Sequence, residues 1–150
     1  MPECQLVSKS VFQHVSVAAF QHFSKSAFQM SRLSEELRQR TTRYASAIIR
    51  FYVTLPKLRG EVNVLGHQLL RSGTSVAAHA REAARARSDA EFASKLDGLL
   101  QEADESQLWL ELLRDDCGIT GEQIEQLLRE TGELLAIFTT MVSKLRKRGI

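Results

Sequence analysis

The sequence predicts an all-α protein: an antiparallel up-down four-helix bundle preceded by an N-terminal extension. Three observations carry this. Apolar residues recur at three- and four-residue steps along four stretches between Leu37 and Leu145, the signature of one buried face on a 3.6-residue period. Helix-stopping and capping residues punctuate those stretches at Pro56, Ser88 and Gly118. The connections between them are short, which makes consecutive helices antiparallel neighbours. At 150 residues the chain is long enough to bury a single core.

Before the first helix, VFQHVSVA, AFQHFSKS and AFQMSRLS repeat at a period of eight, placing Phe12, Phe20 and Phe28 each ahead of a glutamine. An eight-residue step turns about 80° around a helix, so the repeat makes no continuous stripe. Residues 1–33 are therefore expected to be an extension outside the bundle, disordered or upstream of a native start at Met30, with the bundle at 34–147 and a basic tail at 148–150. An alternative is a sticky arm that docks its three phenylalanines on a partner. Gln13, His14, Gln21 and His22 interrupt the apolar content there, which argues against a signal peptide.

The first helix is expected from Glu35 to Leu55. Ser34 caps it, Glu35 and Glu36 sit in the positive first turn, and Pro56 ends it. Leu37, Tyr44, Ile48, Phe51, Tyr52 and Leu55 face inward, with Arg43 and Arg50 on the far side. The second helix is expected from near Glu61 to about Arg87, with Val62, Leu65, Leu69, Gly73, Val76 and Ala80 inward. Gly66 and Gly73 each cost about 1 kcal/mol relative to alanine inside a helix, so close approach of a neighbouring helix is the expected reason for them.

The third helix is expected over Asp89 to Asp116. A capping box of Ser88 and Glu91 opens it and Gly118 closes it in a left-handed conformation. Phe92, Leu96, Leu99, Ala103, Leu110 and Leu113 form its buried stripe, and Asp97, Asp104, Glu111 and Asp115 an acidic one. A second capping box, Thr120 with Gln123, is expected to open the fourth helix. Its apolar stripe, from Ile124 to Leu145, is wide enough for both the core and a subunit contact.

The stretch LLRSGTSVAAHAREAARARSDAEFASKL, followed by EADESQLWLELL, resembles a bacterial four-helix-bundle family, and YVTLPK at the end of the first helix does too. That family comprises proteins encoded in intervening sequences of large-subunit ribosomal RNA genes and the accessory variability proteins of diversity-generating retroelements. The resemblance runs from about Leu37 to Leu145 and departs at Ala77 to His79, where the family often carries proline and asparagine. It implies an up-down four-helix protomer, assembly into a pentameric barrel, and binding to RNA or DNA or to a nucleic-acid enzyme such as a reverse transcriptase. It brings no catalytic residues.

Charge distribution says more than the net charge of +2. Residues 1–60 hold nine Lys/Arg against three Asp/Glu, and residues 89–116 hold two against nine. That polarity suits packing of unlike faces between subunits. Cys4 and Cys117 lie far apart without metal-ligand spacing, compatible with a reducing cytoplasm. No apolar run approaches the length of a membrane span.

Chemistry that four-helix bundles often carry lacks its residues here. A di-iron site needs Glu-x-x-His on two helices, and the chain offers only Glu102-x-x-Glu105 and the reversed His79-x-x-Glu82. His67 has an arginine and a glycine nearby, Arg71 and Gly73, but not at the usual spacing of a phosphorelay histidine, and His79 with Arg81 fits no better. The glycines at 66 and 73 lack the spacing and lysine of a phosphate loop. No metal, cofactor or catalytic residue is expected. Ser75, His79 and Glu82 flank the apolar face of the second helix, and Glu102, Ser106 and Trp109 that of the third. A structural polar network is expected from Ser75, His79, Glu82, Glu102 and Trp109, with Arg71, Arg81 and Lys95 as candidate partners of the carboxylates. The outer seam of His67, Arg71, Arg81 and Arg85, with Arg43 and Arg50, supplies the candidate phosphate contacts. The expected function is a non-enzymatic, self-associating nucleic-acid binder. The alternative is a purely structural oligomer or adaptor whose charges serve subunit contacts alone.

Overall fold

A computed structural model describes residues 32–149; the octad repeat and the expected start at Met30 lie outside them. Four helices follow in order: α1 (Glu35–Thr54), α2 (Gly60–Ala84), α3 (Asp89–Asp115) and α4 (Glu122–Lys147). Each packs on the next, and α4 returns to α1 along the sparsest seam, so the helices form a square without diagonal contacts among the described residues. This is the expected four-helix bundle.

The start of α1 follows the sequence: the Ser34 hydroxyl accepts the Leu37 amide at 3.3 Å. At α3 the Ser88 hydroxyl takes the Glu91 amide at 3.0 Å, while the Glu91 carboxylate reaches the Arg87 amide at 2.8 Å, one residue further back than in a standard capping box. The expected box at Thr120 is absent. Gly121, at φ 124°, takes the cap position and no side chain caps α4. Gly118, at φ 68°, supplies the left-handed turn after α3. The end of α2 also differs: the helix stops at Ala84 rather than Arg87. The Ala86 amide folds back onto the Ala83 carbonyl, and Arg32 takes the Ala86 carbonyl at 3.0 Å. The chain entering α1 is thereby fastened to the α2–α3 corner, with Leu33 fully buried beside it.

The core holds the expected stripes, with Tyr44, Ile48, Leu69, Leu96, Leu110 and Phe138 among its largest buried side chains. The glycines of α2 permit its contact with α1. A Cβ on Gly73 would meet Ile48 Cγ1 at 2.8 Å, and one on Gly66 would meet Leu55 Cδ1 at 2.8 Å. At mid-core lies a layer of hydroxyls to which every helix contributes. Tyr44 on α1 bonds Thr131 on α4 at 2.8 Å, and Ser72 on α2 bonds Ser106 on α3 at 2.8 Å. Ser106 and Thr131 also donate to backbone carbonyls one turn back, each at 2.7 Å. Burial raises the Tyr44 phenol above its ordinary pKa, with the hydroxyls of Thr131 and Ser106 opposing the shift.

Candidate nucleic-acid interface

The candidate basic residues fall into two groups. Arg43, Arg81 and Arg85 converge on one concavity where the first half of α1 meets the last turns of α2. Glu35 and Arg38 also line it but pair with each other, so the three arginines have no carboxylate partner among the described residues. Arg43 additionally borders a cleft between α1 and α4 of about 700 Å³, together with Arg50 and with Arg129 of α4. Its floor is apolar, from Ala47, Phe51 and Leu127.

Arg40 holds α1 to α4 at this cleft. It makes a two-pronged bond to Glu130, at 2.7 and 2.9 Å, and a further ion pair with Glu133. Those carboxylates raise its pKa and spend their charge on it. Arg50 and Arg129 stay unpaired among the described residues, as do Arg43, Arg81 and Arg85. These arginines form a strip that crosses α1 from the α2 side to the α4 side.

His67 and Arg71, the other two candidates, stand apart over a shallow depression on α2. Arg71 lies 3.5 Å from Glu105. The His67 ring is bonded on both nitrogens, Nδ1 at 2.7 Å from the Asn63 carbonyl and Nε2 at 3.0 Å from the Tyr52 hydroxyl. Because Nδ1 faces a carbonyl it carries the proton, which leaves Nε2 to accept from Tyr52. Lys57 lies 3.3 Å over the Tyr52 ring. His67 is thus committed to joining the first two helices.

The expected polar network is not one network. His79 Nδ1 approaches Glu82 at 3.6 Å, beyond hydrogen-bond length, and Glu82 instead pairs with Lys95 of α3 at 2.7 Å. That bond lowers the Glu82 pKa and raises that of Lys95. Ser75 turns back to the Arg71 carbonyl at 2.9 Å. Glu102 Oε2 and Trp109 Nε1 have no hydrogen-bond partner among the described residues. The buried polar atoms that connect helices are the hydroxyls of the mid-core layer; of these the sequence marks Tyr44 as a core residue and Ser106 as a polar flank of the apolar face. No cluster of His, Cys, Asp or Glu among the described residues is arranged to hold a metal ion.

The family model of the 23S rRNA-intervening sequence protein matches residues 34–140. The chain belongs to that family. A crystal structure of a protein of unknown function from the S23 ribosomal protein family of Bacteroides thetaiotaomicron is similar at 35% identity and a TM-score of 0.64, covering 70% of this chain and 96% of that one. No curated protein matches. The segment matched to the intervening-sequence family contains every arginine of the strip and stops short of the basic C-terminal turn of α4.

Arg129 is not among the candidates the sequence offers, because the periodicity of the fourth helix marks its apolar side. Its place two residues after buried Leu127, on the edge of that stripe, was the available signal. No helix among the described residues is long and apolar enough to cross a membrane.

Proposed function

We propose that this intervening-sequence protein is a non-enzymatic cytoplasmic oligomer that binds nucleic acid through Arg43, Arg50, Arg81, Arg85 and Arg129. The observation that carries the reading is the convergence of Arg43, Arg81 and Arg85 without counter-charge. Guanidinium groups gathered in this way repel one another, and a phosphate relieves that repulsion while releasing counterions from the nucleic acid. The Arg71 and His67 end of the seam contributes less, since the Glu105 carboxylate stands beside Arg71 and both His67 nitrogens are bonded within the protomer.

Self-association is supported by large exposed apolar side chains: Ile49 and Val53 on α1, Leu58 in the connection that follows, and Val64 on α2. In the pentameric ring implied by the family resemblance, weak phosphate contacts from each protomer add by avidity. The same surface suits a nucleic-acid enzyme that carries bound RNA or DNA, such as a reverse transcriptase. The second reading, an adaptor without nucleic-acid binding, draws on those same exposed apolar residues.

A salt titration of a labelled oligonucleotide, run beside light scattering, separates the two. Binding by the parent protein is expected to weaken steeply with salt. Changing Arg81 and Arg85 together to Glu should flatten the log–log slope by about 1.8 for duplex per engaged protomer, at 0.9 for each lost phosphate contact. Helicity and assembly should be unchanged. A parent that assembles yet binds nothing at low salt leaves only the adaptor reading.

A further inference from the structure

We infer that the cleft between α1 and α4 seats an unpaired nucleotide, so that the protein prefers single-stranded to double-stranded nucleic acid; this rests on the binding function proposed above. Three features of the cleft converge on that occupant.

The first is its size and lining. At about 700 Å³ it lies within the range of small-ligand pockets, and Ala47, Phe51 and Leu127 give it an apolar floor. Phosphate binding alone needs no such floor, whereas a base leaving water does.

The second is the chemistry of the rim. Arg43 and Arg50 stand on α1 and Arg129 on α4, none in an ion pair among the described residues. A guanidinium is planar: it stacks on a base as readily as it forks onto a phosphate. Gln123 adds an amide with both donors and an acceptor, suited to a base edge. The carboxylates at the cleft, Glu130 and Glu133, are occupied by Arg40 and so leave the rim positive.

The third is continuity. Arg43 borders both the cleft and the concavity that holds Arg81 and Arg85. A flexible strand with one base in the cleft can pass over Arg43 and lay its next phosphates on Arg81 and Arg85. A duplex keeps its bases stacked inside. It reaches the arginines with phosphates only and leaves the apolar floor unused.

The test compares a short labelled oligothymidylate with a duplex of the same length at one low salt concentration, by fluorescence anisotropy. The single strand should bind about tenfold tighter, a margin at the lower end of what a stacked base supplies. Ala47→Trp, which fills the cleft from a half-buried position, should remove that margin and leave duplex binding unchanged. Circular dichroism and light scattering accompany each variant. Should Ala47→Trp fail to fold, Arg50→Ala with Arg129→Ala, both at exposed positions, should narrow the margin in its place. Equal binding of the two probes, or a margin that survives a folded Ala47→Trp, overturns the nucleotide seat while leaving phosphate binding intact. Loss of assembly in Ala47→Trp assigns the cleft to a second copy of the chain and also overturns it. Binding of neither probe by the parent overturns both this inference and the function beneath it.

Discussion

Alanine substitutions at three helical glycines measure how closely α1 and α2 approach. Gly132, on α4, has nothing within 4 Å of where a Cβ would stand, so Gly132→Ala changes helix propensity alone and should stabilise by about 0.4–1 kcal/mol. Gly73→Ala brings the same propensity gain but sets its methyl 2.8 Å from Ile48 Cγ1, 2.9 Å from Cγ2 and 3.2 Å from Cβ. Ile48 is fully buried and β-branched, so it has no free rotamer to retreat into. Overpacking of this kind costs about 1–3 kcal/mol. Because propensity cancels between the two variants, their difference is the packing cost itself. At roughly 4 °C per kcal/mol for a domain of this size, Gly73→Ala should melt about 4–12 °C below Gly132→Ala. Gly66→Ala should fall between them, since its nearest neighbour is the movable end of Leu55, with the Tyr52 ring next at 3.3 Å. The assay is thermal melting by circular dichroism, checked by urea denaturation. A Gly73→Ala protein that melts with or above Gly132→Ala would refute the close approach.

Two further outcomes concern the hydroxyl layer. Ser106→Ala should cost about 1–2 kcal/mol in urea denaturation, because it strips Ser72 of its partner in the core; the Ser72→Ala, Ser106→Ala double variant should cost less than the sum of the single variants, by at least about 0.5 kcal/mol. Strict additivity would mean the two hydroxyls do not interact. Tyr44 gives a pH dependence: burial raises its pKa in the folded state above the ordinary 10.0, so its contribution is fully present below that pH and drains away as pH climbs through the folded-state value. Tyr44→Phe should therefore lose less stability on alkaline titration than the parent, and identical alkaline profiles would show the phenol is not desolvated.

Much of the bundle was legible in the sequence because helix burial leaves a periodic trace. Phe92, Leu96 and Leu99 mark their face by spacing alone, and Ser88 marks the corner because unpaired amides at a helix start need an acceptor. Gly73 was readable through its cost: a residue that weakens a helix interior is kept where nothing larger fits. Thr120 misled because a capping pattern competes with backbone geometry, and the positive φ of Gly121 lets the chain start α4 one residue later. The hydroxyls of Ser72 and Thr131 were hidden since small polar residues barely disturb an apolar stripe. For the candidate site, the outward facing of Arg43, Arg81 and Arg85 could be read, but their availability could not. Whether an arginine is free depends on partners far away in the chain, as with Arg40 and Glu130, 90 positions apart, or Arg71 and Glu105, 34 apart. The α1–α4 cleft has no linear signature, because it exists only once the last helix closes on the first.

The hydroxyl layer has a consequence for how the helices choose their places. An apolar stripe is nearly indifferent to sliding: a helix shifted by one turn, about 5.4 Å, along its neighbours still buries leucine against leucine. Hydroxyls are not indifferent, because each bond here has a single length at which it works. A one-turn slip of α3 past α2 would leave Ser72 and Ser106 facing methyl groups, and a slip of α4 past α1 would do the same to Tyr44 and Thr131. Ser106 and Thr131 would keep their bonds to carbonyls of their own helices, but the buried Tyr44 phenol, stripped of its partner, would cost about 1–3 kcal/mol. The layer thus serves as an index mark: it discriminates one vertical alignment of four otherwise slippery cylinders, and with it fixes the register in which arginines from three different helices meet at the surface.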